Sequence, residues 1–328
     1  MWTEVRGVAG RSLMALLVTA MGILGAPALV EAQSPDELPS PCAPDPALRA
    51  RCAELQLAAR ALGTGLTLAQ TGGSPLPGAA STLGRRFART PRWALAARTG
   101  FTRFDLPDIR SGTVPSEANG VTATTIEGTM AIGVLEGFSP QPTVGGVLAI
   151  DVLGKVGKTF VSEGEGFDGN PNHFGYGVRV GVFRESFTLP GVSISAMRVH
   201  SGKVELSGGL NGLGSAEVES TTTSIRGTVG KDFMAIGVLA GMGWDRISSE
   251  GLLRAGALLG AVNPADVVTQ FKDLKTDRTL FFVGLSRTVL VAQMALEAGW
   301  AQGQDARATG FDPSTGPLWA SFSLRLTF

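Results

Sequence analysis

The sequence has little of three things that would narrow its function at once: cysteine, aromatic side chains and an excess of either charge. Its 328 residues include two cysteines, aromatic residues make up 7%, and 28 basic residues balance 28 acidic residues. Balanced charge argues against a nucleic-acid-binding protein, which needs a basic surface. Two cysteines are too few for a disulfide scaffold, and 44% hydrophobic residues are too many for a disordered chain. We therefore expect a folded protein that binds no nucleic acid.

The first 32 residues have the pattern of a secretory signal peptide. Arg6 and Arg11 precede an apolar run, which ends in the small-residue cleavage site Val30-Glu31-Ala32. A single transmembrane anchor is the alternative, but two glycines and a proline weaken the run as a continuous helix. We predict that residues 1–32 are removed and that the mature chain lies outside the cytoplasm.

The start of the mature chain predicts a disulfide followed by a helix. Cys42 and Cys52 stand ten residues apart, and an oxidising compartment favours a bond between them. A zinc site needs four ligands, and the only two histidines are far away in the sequence, so we predict no metal site. The stretch 46–62 is rich in Ala, Leu and Arg, which favours a helix that Gly63 would end.

Beyond residue 91, apolar residues alternate with small or polar ones, which is the pattern of β-strands with one apolar face. The end of the chain shows it best, with apolar side chains at every even position from Leu318 to Phe328. The fifth and sixth strands below are the least regular, because one slips phase near Met197 and the other is rich in Ser and Thr. We predict ten strands, at 92–104, 121–138, 143–157, 174–188, 192–205, 216–229, 232–246, 279–287, 290–301 and 317–328.

The connections between these strands alternate strictly between short and long. This arrangement is typical of an all-β, antiparallel up-and-down transmembrane β-barrel, in which short turns gather at one end and long loops at the other. Strands of 9–11 residues are long enough to cross a bilayer when tilted. A single tyrosine, Tyr176, and few other aromatics predict thin interfacial girdles, so a soluble secreted β-sandwich or lipocalin-like barrel is the alternative. The short connections are 139–142, 189–191, 230–231 and 288–289, and the long ones are 105–120, 158–172, 206–215, 247–277 and 302–316.

Taken together, the signal peptide, the alternating strands and the ending Leu324-Arg325-Leu326-Thr327-Phe328 resemble a bacterial outer-membrane β-barrel protein. The resemblance covers residues 92–328. It implies a location in the bacterial outer membrane, contact with outer-membrane lipid, and recognition of Phe328 by the barrel-assembly machinery as an assembly signal.

A second resemblance concerns residues 63–91. Gly72-Gly73-Ser74-Pro75, Pro77-Gly78 and an arginine-studded run before the first strand are similar in order and placement to the N-terminal hatch of the long-chain fatty-acid transporter family. That family passes hydrophobic compounds across the outer membrane, so the resemblance implies a small hydrophobic ligand and a plug formed by residues 33–91. The alternative for this segment is a periplasmic tail without a transport role.

Charged residues opposite the apolar stripes are expected to line the barrel interior. Residues of both positive and negative charge are present, so we expect the interior to select neither cations nor anions. Because a ten-stranded barrel is only slightly wider than one that side chains fill, we interpret these residues first as a salt-bridged structural core and second as a narrow polar pathway or ligand pocket. The candidate lumen residues are Arg98, Glu127, Asp151, Lys155, Arg179, Glu217, Asp245, Glu297 and Arg325.

The longest predicted loop, 247–277, is unusually apolar. It contains several leucines, followed by Asn263 and Pro264, which are typical of a helix start, and we predict a short helix over 267–274. The loop would form either a lid packed on its own apolar residues or a capture surface for a lipophilic ligand.

Catalysis has little support, and we predict that the protein is not an enzyme. His200 and Ser201 are the only adjacent histidine and serine, and neighbouring residues of a strand face opposite sides. His173 follows Asn-Pro-Asn and is expected in a loop. No phosphate-binding glycine motif followed by Lys-Ser/Thr is present, so no cofactor is expected.

These features predict a barrel that passively binds or passes small molecules, hydrophobic ones included. The alternatives are a structural or surface-interaction barrel with a closed lumen, and the secreted soluble sandwich.

Overall fold

The structure is a computed structural model that describes residues 46–86, 90–107, 118–140, 145–162, 167–168, 170–207, 215–234, 236–254, 268–302 and 316–328. The predicted signal peptide and Cys42 lie outside these residues, so the predicted cleavage and the predicted disulfide between Cys42 and Cys52 stay predictions. The elements are one helix, α1 (Pro46–Thr71), and thirteen strands. The strands are β1 (Arg85–Arg86), β2 (Thr90–Pro91), β3 (Trp93–Pro107), β4 (Ala118–Leu135), β5 (Ile150–Val161), β6 (Phe167–Asp168), β7 (Asn172–Phe183), β8 (Gly191–Ser207), β9 (Ser215–Phe233), β10 (Ile236–Arg254), β11 (Val268–Val289), β12 (Ala292–Ala301) and β13 (Leu318–Thr327).

Ten of the strands form one closed antiparallel barrel, which confirms the predicted fold class. Each long strand pairs with the next along the chain, and β8 pairs with β9. The last strand, β13, pairs with the first, β3, and so closes the cylinder. Trp93 and Phe328 seal this seam, because each donates its backbone N–H to the carbonyl of the other, at 3.2 and 2.9 Å. The other three strands have two residues each and are not among these ten: β1 pairs with β2, and β6 pairs with β8.

An apolar belt surrounds the barrel. Two aromatic levels border it: Trp93 stacks on Phe328 at 4.2 Å at one end, and Phe281 stacks on Trp300 at 5.4 Å at the other. Eight residues separate Trp93 from Phe101 on β3, which at 35–45° tilt corresponds to a belt of about 20 Å. Every barrel strand exposes a large apolar side chain within the belt, including Leu95, Ile126, Val156, Tyr176, Ile194, Ile225, Val238, Val283, Leu296 and Leu324.

This belt excludes the soluble alternative. A soluble barrel would bury its large apolar side chains inside and present polar ones to water, whereas here the buried inner face carries the charged residues. Two stacked aromatic pairs mark the ends of the belt, while Phe322, paired with Thr99 and Leu296, lies between them, so the girdles are thin, as predicted. The chain is therefore an outer-membrane β-barrel, located in the bacterial outer membrane. Among the residues that the structure describes, no helix has the length and apolar character needed to span a bilayer.

The connections lie at two ends of the barrel, which we call the short-turn end and the long-loop end. The predicted strict alternation in length is wrong, because fourteen residues, 136–149, separate β4 from β5 at the short-turn end, where the tight turn 139–142 was predicted. The turns 234–235 and 290–291 are tight, whereas β7 and β8 are joined by the longer segment 184–190. In outer-membrane barrels, short turns face the periplasm and long loops face outward.

The helix predicted over 267–274 is wrong, because β11 begins at Val268. Arg254 pairs with Val268, and the ladder between β10 and β11 continues from there to the short-turn end with one bulge between Ser249 and Gly251. The leucines at 252 and 253 therefore belong to β10, and the remaining loop residues, 255–267, lie outside the described residues. Pairing with β10 provides hydrogen-bond partners along one edge of this stretch, which outweighs the local helix signal of Asn263 and Pro264.

Candidate functional site: the occupied lumen

Helix α1 lies inside the barrel. The backbone of Gly63 lies against Ser220 and Ser249, and Gly65 lies against Phe104, all on inward faces near the long-loop end. At the other end of the helix, Gly72 lies against Trp319 in the middle of the barrel. The helix therefore runs from the long-loop end toward the centre, and residues 72–84 continue to the short-turn end. We call residues 57–84 the plug.

The predicted end of the helix at Gly63 is wrong, and the lumen explains why. Residues 58–71 are almost all buried on every side, although no apolar stripe marks them as a core-facing helix. The helix continues through Gly63 and Gly65 to Thr71, and it ends before Gly73, whose φ of +84° is the left-handed conformation that stops a helix. The barrel wall supplies the packing that overrides the weak helix propensity of glycine.

Glycines are required at two positions of the helix, because its backbone lies too close to the barrel wall there to leave room for a side chain. A Cβ at Gly65 would lie 2.4 Å from the ring of Phe104, and one at Gly63 would lie 2.6 Å from Ser249 Oγ. On the wall, a Cβ at Gly100 would lie 2.8 Å from the carbonyl oxygen of Ala69. The helix therefore fills the width of the barrel at these levels, in agreement with the narrow interior of a ten-stranded cylinder.

Basic residues of the barrel wall cap the C-terminal end of the helix. The helix has no basic residue in its own last turn, and its last carbonyls carry the negative end of the macrodipole. Arg226 donates to the carbonyl of Thr71 at 2.9 Å. Arg278 contacts the side of the helix instead, donating to the carbonyl of Thr64, about two turns before the helix end, at 2.6 Å. Lys155 donates to the Gln70 carbonyl, and Arg98 donates to the Gly72 carbonyl just past the helix end. Cations from three strands, β3, β5 and β9, thus surround the end of a helix that has none in its own last turn.

The first ionic centre of the lumen is built on Asp245. Its carboxylate pairs with Arg226 and with Arg278, both at 2.6 Å, and all three side chains are buried. Thr71 donates its hydroxyl to the same carboxylate at 3.3 Å. Asp245 therefore holds both arginines in the positions from which they reach the helix carbonyls.

The second ionic centre is built on Glu127. Its carboxylate pairs with Arg98 at 3.3 Å, with Lys155 at 3.1 Å, and with His173 at 3.3 Å. The prediction that His173 lies in a loop is therefore wrong: it is the second residue of β7, and its side chain is buried in the lumen. The strand begins at Asn172, two residues before its predicted start at 174.

The lower part of the plug is held through its backbone amides. Asp151 accepts the N–H of Leu83 at 3.0 Å and pairs with Arg179 at 2.7 Å, and Arg179 also donates to the Ala79 carbonyl at 3.3 Å. Glu297 accepts the N–H groups of Ser74 and Gly78, at 3.1 and 3.4 Å. Near the short-turn end, Arg325 donates to the Pro77 carbonyl at 3.2 Å.

The structure places eight of the nine candidate lumen residues on the inner face, where each contacts the plug or an ionic partner. The exception is Glu217. On β9 the inward residues are even-numbered, from Val218 to Thr228, so Glu217 faces outward and pairs with Lys203 at 3.3 Å. The eight inward residues are Arg98, Glu127, Asp151, Lys155, Arg179, Asp245, Glu297 and Arg325.

Sequence reasoning missed three important residues. Arg226 lies on β9, where both faces are polar and no apolar stripe identifies the inner one. Arg278 falls one residue before the predicted start of its strand. Gln70, which donates to Thr159 and Ser201 at 3.0 Å, lies beyond the predicted helix end.

We expect Glu297→Gln to loosen the middle of the plug selectively. A hydrogen bond to a charged acceptor contributes about 1.5–3 kcal/mol, so the amides of Ser74 and Gly78 should exchange with solvent roughly 10 to 100 times faster. Amide hydrogen exchange measures this. Glu136→Gln is the control, since Glu136 is half-exposed and pairs with Arg184 at 3.8 Å. Unchanged exchange at both amides would show that Glu297 does not hold them.

The adjacent His200 and Ser201 do face opposite sides of β8. Ser201 is buried in the lumen and accepts from Gln70. His200 lies on the outer face, where its ring stacks on Phe174 at 5.0 Å. The described residues contain no group of three or more His, Cys, Asp or Glu side chains arranged to hold a metal ion.

Comparison of the sequence with protein-family models and with curated proteins finds no match. Among solved structures, the chain is similar to the translocator domain of autotransporter NalP from Neisseria meningitidis, with 12% identity over 85% of this chain and 97% of that one and a TM-score of 0.44. It is also similar to the toluene transporter TodX of Pseudomonas putida (8%, 77% and 95%, TM-score 0.33). A third is the outer membrane protease OmpT of Escherichia coli (10%, 73% and 96%, TM-score 0.31). The activity of this chain therefore has to be argued from its own residues.

Proposed function

We propose that the protein is a self-closed outer-membrane barrel that anchors its own N-terminal segment through the membrane and holds the start of that segment at the outer face. The observation that carries the proposal is the direction of α1, whose N-terminal side lies toward the long loops. Pro46 lies 17 residues before Gly63 in the same helix, which at 1.5 Å per residue is about 25 Å further in that direction. The work of the barrel is then structural: it fixes a surface-exposed segment.

The contacts of the plug support permanent closure. The polar bonds come from eleven wall residues on nine strands, and departure of the plug would be costly, because it would leave buried charges without their partners. The cations and anions named above also depend on the helix, since the carbonyl dipole balances the excess of arginine and lysine around it.

Passage of small molecules is the second candidate, favoured by the chemistry of the inner wall. Around the helix this wall is rich in hydroxyl side chains, and water can replace a hydroxyl contact at little cost if the helix leaves. A lumen emptied in this way would be a narrow polar pathway. Seryl and threonyl residues on this wall include Thr125, Thr159, Ser201, Ser220, Thr222, Ser224 and Ser249.

Assembly of the barrel is a further part of the proposal. The stacked pair of Trp93 and Phe328 completes the seam between β3 and β13, so Phe328 lies at the end of the strand that closes the barrel. We infer that the barrel-assembly machinery reads this residue.

Protease access from outside the cell tests the orientation. A specific protease site inserted between Asp45 and Pro46 is expected to be cut on intact cells. The same site inserted between Phe187 and Thr188, in the segment 184–190 at the short-turn end, is the control and should be cut only after permeabilisation. If the first site also requires permeabilisation, the proposed orientation is wrong.

Conductance in planar bilayers tests closure. The full-length protein is expected to give no steps, whereas a variant lacking residues 46–84 should conduct once heat-dependent mobility on a gel shows that it has folded. Steady conductance of the full-length protein would contradict a closed lumen and favour passage. If the variant does not fold, the full-length measurement alone decides.

A further inference from the structure

A short hairpin of arginine-rich sequence lies at the short-turn end, between the plug and the first barrel strand. Its two strands are β1, which consists of Arg85 and Arg86, and β2, with which β1 pairs. The hairpin is fixed to the barrel wall, because Arg92 donates its N–H to the Gly84 carbonyl at 3.4 Å and accepts the N–H of Gly133 at 2.8 Å. We call Arg85, Arg86 and Arg92 the periplasmic arginines.

The register of the hairpin carries it away from the apolar belt. Trp93 belongs to the aromatic pair that marks the short-turn end of the belt, and Arg86 pairs with Thr90, three residues before Trp93. Three residues of extended chain span about 10 Å, or about 7–8 Å along the membrane normal at the tilt of the barrel. The headgroup layer on each side of the hydrocarbon is about 5–7 Å thick. The backbone of Arg86 therefore lies at the periplasmic side of the headgroup layer.

The carboxylates of the short-turn end offer the hairpin little compensation. Glu136 pairs with Arg184 at 3.8 Å, and Glu185 pairs with Lys231 at 3.6 Å. Arg92 is exposed and forms no ion pair with any residue that the structure describes. Residues 85–92 include four arginines and neither Asp nor Glu. Since short turns face the periplasm, the barrel presents a positively charged hairpin to that compartment.

We propose that the periplasmic arginines bind the carboxylates of peptidoglycan, the anionic polymer of the bacterial periplasm. The fork of a guanidinium matches the two oxygens of a carboxylate, and the peptide stems of peptidoglycan repeat such carboxylates along the glycan. Each exposed ion pair alone contributes little, but several on one hairpin reinforce one another when the ligand is a repeating polymer. The site lies outside the lumen, so the proposal does not depend on the proposed function.

Co-sedimentation of the full-length protein, in detergent, with insoluble peptidoglycan sacculi tests the proposal. The triple variant Arg85→Gln/Arg86→Gln/Arg92→Gln is expected to bind about ten times more weakly than the unmodified protein. Arg85→Lys/Arg86→Lys/Arg92→Lys should keep part of the affinity, because it keeps the charge but loses the fork. Sacculi whose carboxylates have been amidated should bind none of these proteins.

The chain offers a control variant that loses the same charge at the other end of the barrel. Arg103, Arg198 and Arg246 are exposed on the outer face, in the half of the barrel nearer the long loops. Arg103→Gln/Arg198→Gln/Arg246→Gln should therefore bind sacculi like the unmodified protein. Heat-dependent mobility on a gel checks that each variant folds.

Unchanged binding by the glutamine variant of the periplasmic arginines would overturn the proposal. An equal loss in the control variant would also overturn it, since net charge alone would then explain the binding. If the first variant sediments normally but loses phosphatidylglycerol in native mass spectrometry, the hairpin binds lipid headgroups instead of peptidoglycan.

Discussion

Asp245→Asn is expected to lower the free energy of unfolding by about 3–5 kcal/mol, because it leaves two buried guanidinium groups without their shared carboxylate. Both arginines would also lose the anchor that aims them at the carbonyls of Thr64 and Thr71. Urea unfolding of the protein in lipid vesicles, followed by tryptophan fluorescence, measures the change.

The chain offers a closely matched control one register position away. Asp245 pairs with Arg278 across β10 and β11, and the next pair along the same two strands is Arg246 with Asp277. The second pair faces outward, with Arg246 half-exposed and Asp277 partly covered, so Asp277→Asn should change stability by less than about 1 kcal/mol. Similar losses for both variants would show that the inner pair is not desolvated and that the lumen contains water where the structure places the helix.

Gly65→Ala is expected to destabilise the protein, although alanine is the better helix former. The added methyl group would meet the ring of Phe104 at 2.4 Å, and such overpacking costs about 1–3 kcal/mol. In a helix free of the barrel, the same change would stabilise by about 1 kcal/mol. Whether Gly65→Ala lowers or raises the free energy of unfolding therefore shows whether the helix is confined in the barrel, and urea unfolding measures this change.

Removal of the Phe104 ring should reverse the effect of Gly65→Ala on the free energy of unfolding. In a Phe104→Ala background, Gly65→Ala is expected to be neutral or stabilising, which a double-variant cycle shows as an interaction between the two positions. Gly128→Ala is the control for the glycine itself, because a Cβ there meets nothing within 4 Å. If Gly65→Ala stabilises the otherwise unmodified protein, the packing of the helix against β3 is wrong.

The barrel was predictable from the sequence because lipid imposes a strict period of two on every strand. The difference between the two faces of a strand is clearest in β13, where one face is apolar and the other is not. Counting alternate residues along such strands gives the number of strands and the inward position of Arg325. On β9 both faces are polar, so the same counting assigns Glu217 to the wrong side and overlooks Arg226. The boundary of β11 was missed because a loop full of leucines resembles a helix more than an extended hairpin.

The occupied lumen was beyond local sequence signals. A helix surrounded by wall on every side has no polar face, and Gly63 and Gly65 look like helix ends when their neighbours in space are unknown. Only the closed barrel shows that those glycines face Ser249 and Phe104. The cations that contact the helix backbone come from four different strands, and their convergence depends on the register of the whole sheet, which no short motif encodes.

Cross-linking inside the lumen tests the central claim, that α1 lies in the barrel with its N-terminal side toward the long loops. A Cβ at Gly63 would lie 3.7 Å from the Cβ of Ser249, within the range of 3.5–4.5 Å that a disulfide requires. In a background without the native cysteines, Gly63→Cys/Ser249→Cys should oxidise in intact outer membranes and migrate faster than its reduced form on a denaturing gel. Gly63→Cys/Ser193→Cys, with Ser193 near the short-turn end of β8, should stay reduced. Cross-linking to position 193 instead of 249 would reverse the helix, and cross-linking to neither would place it outside the barrel.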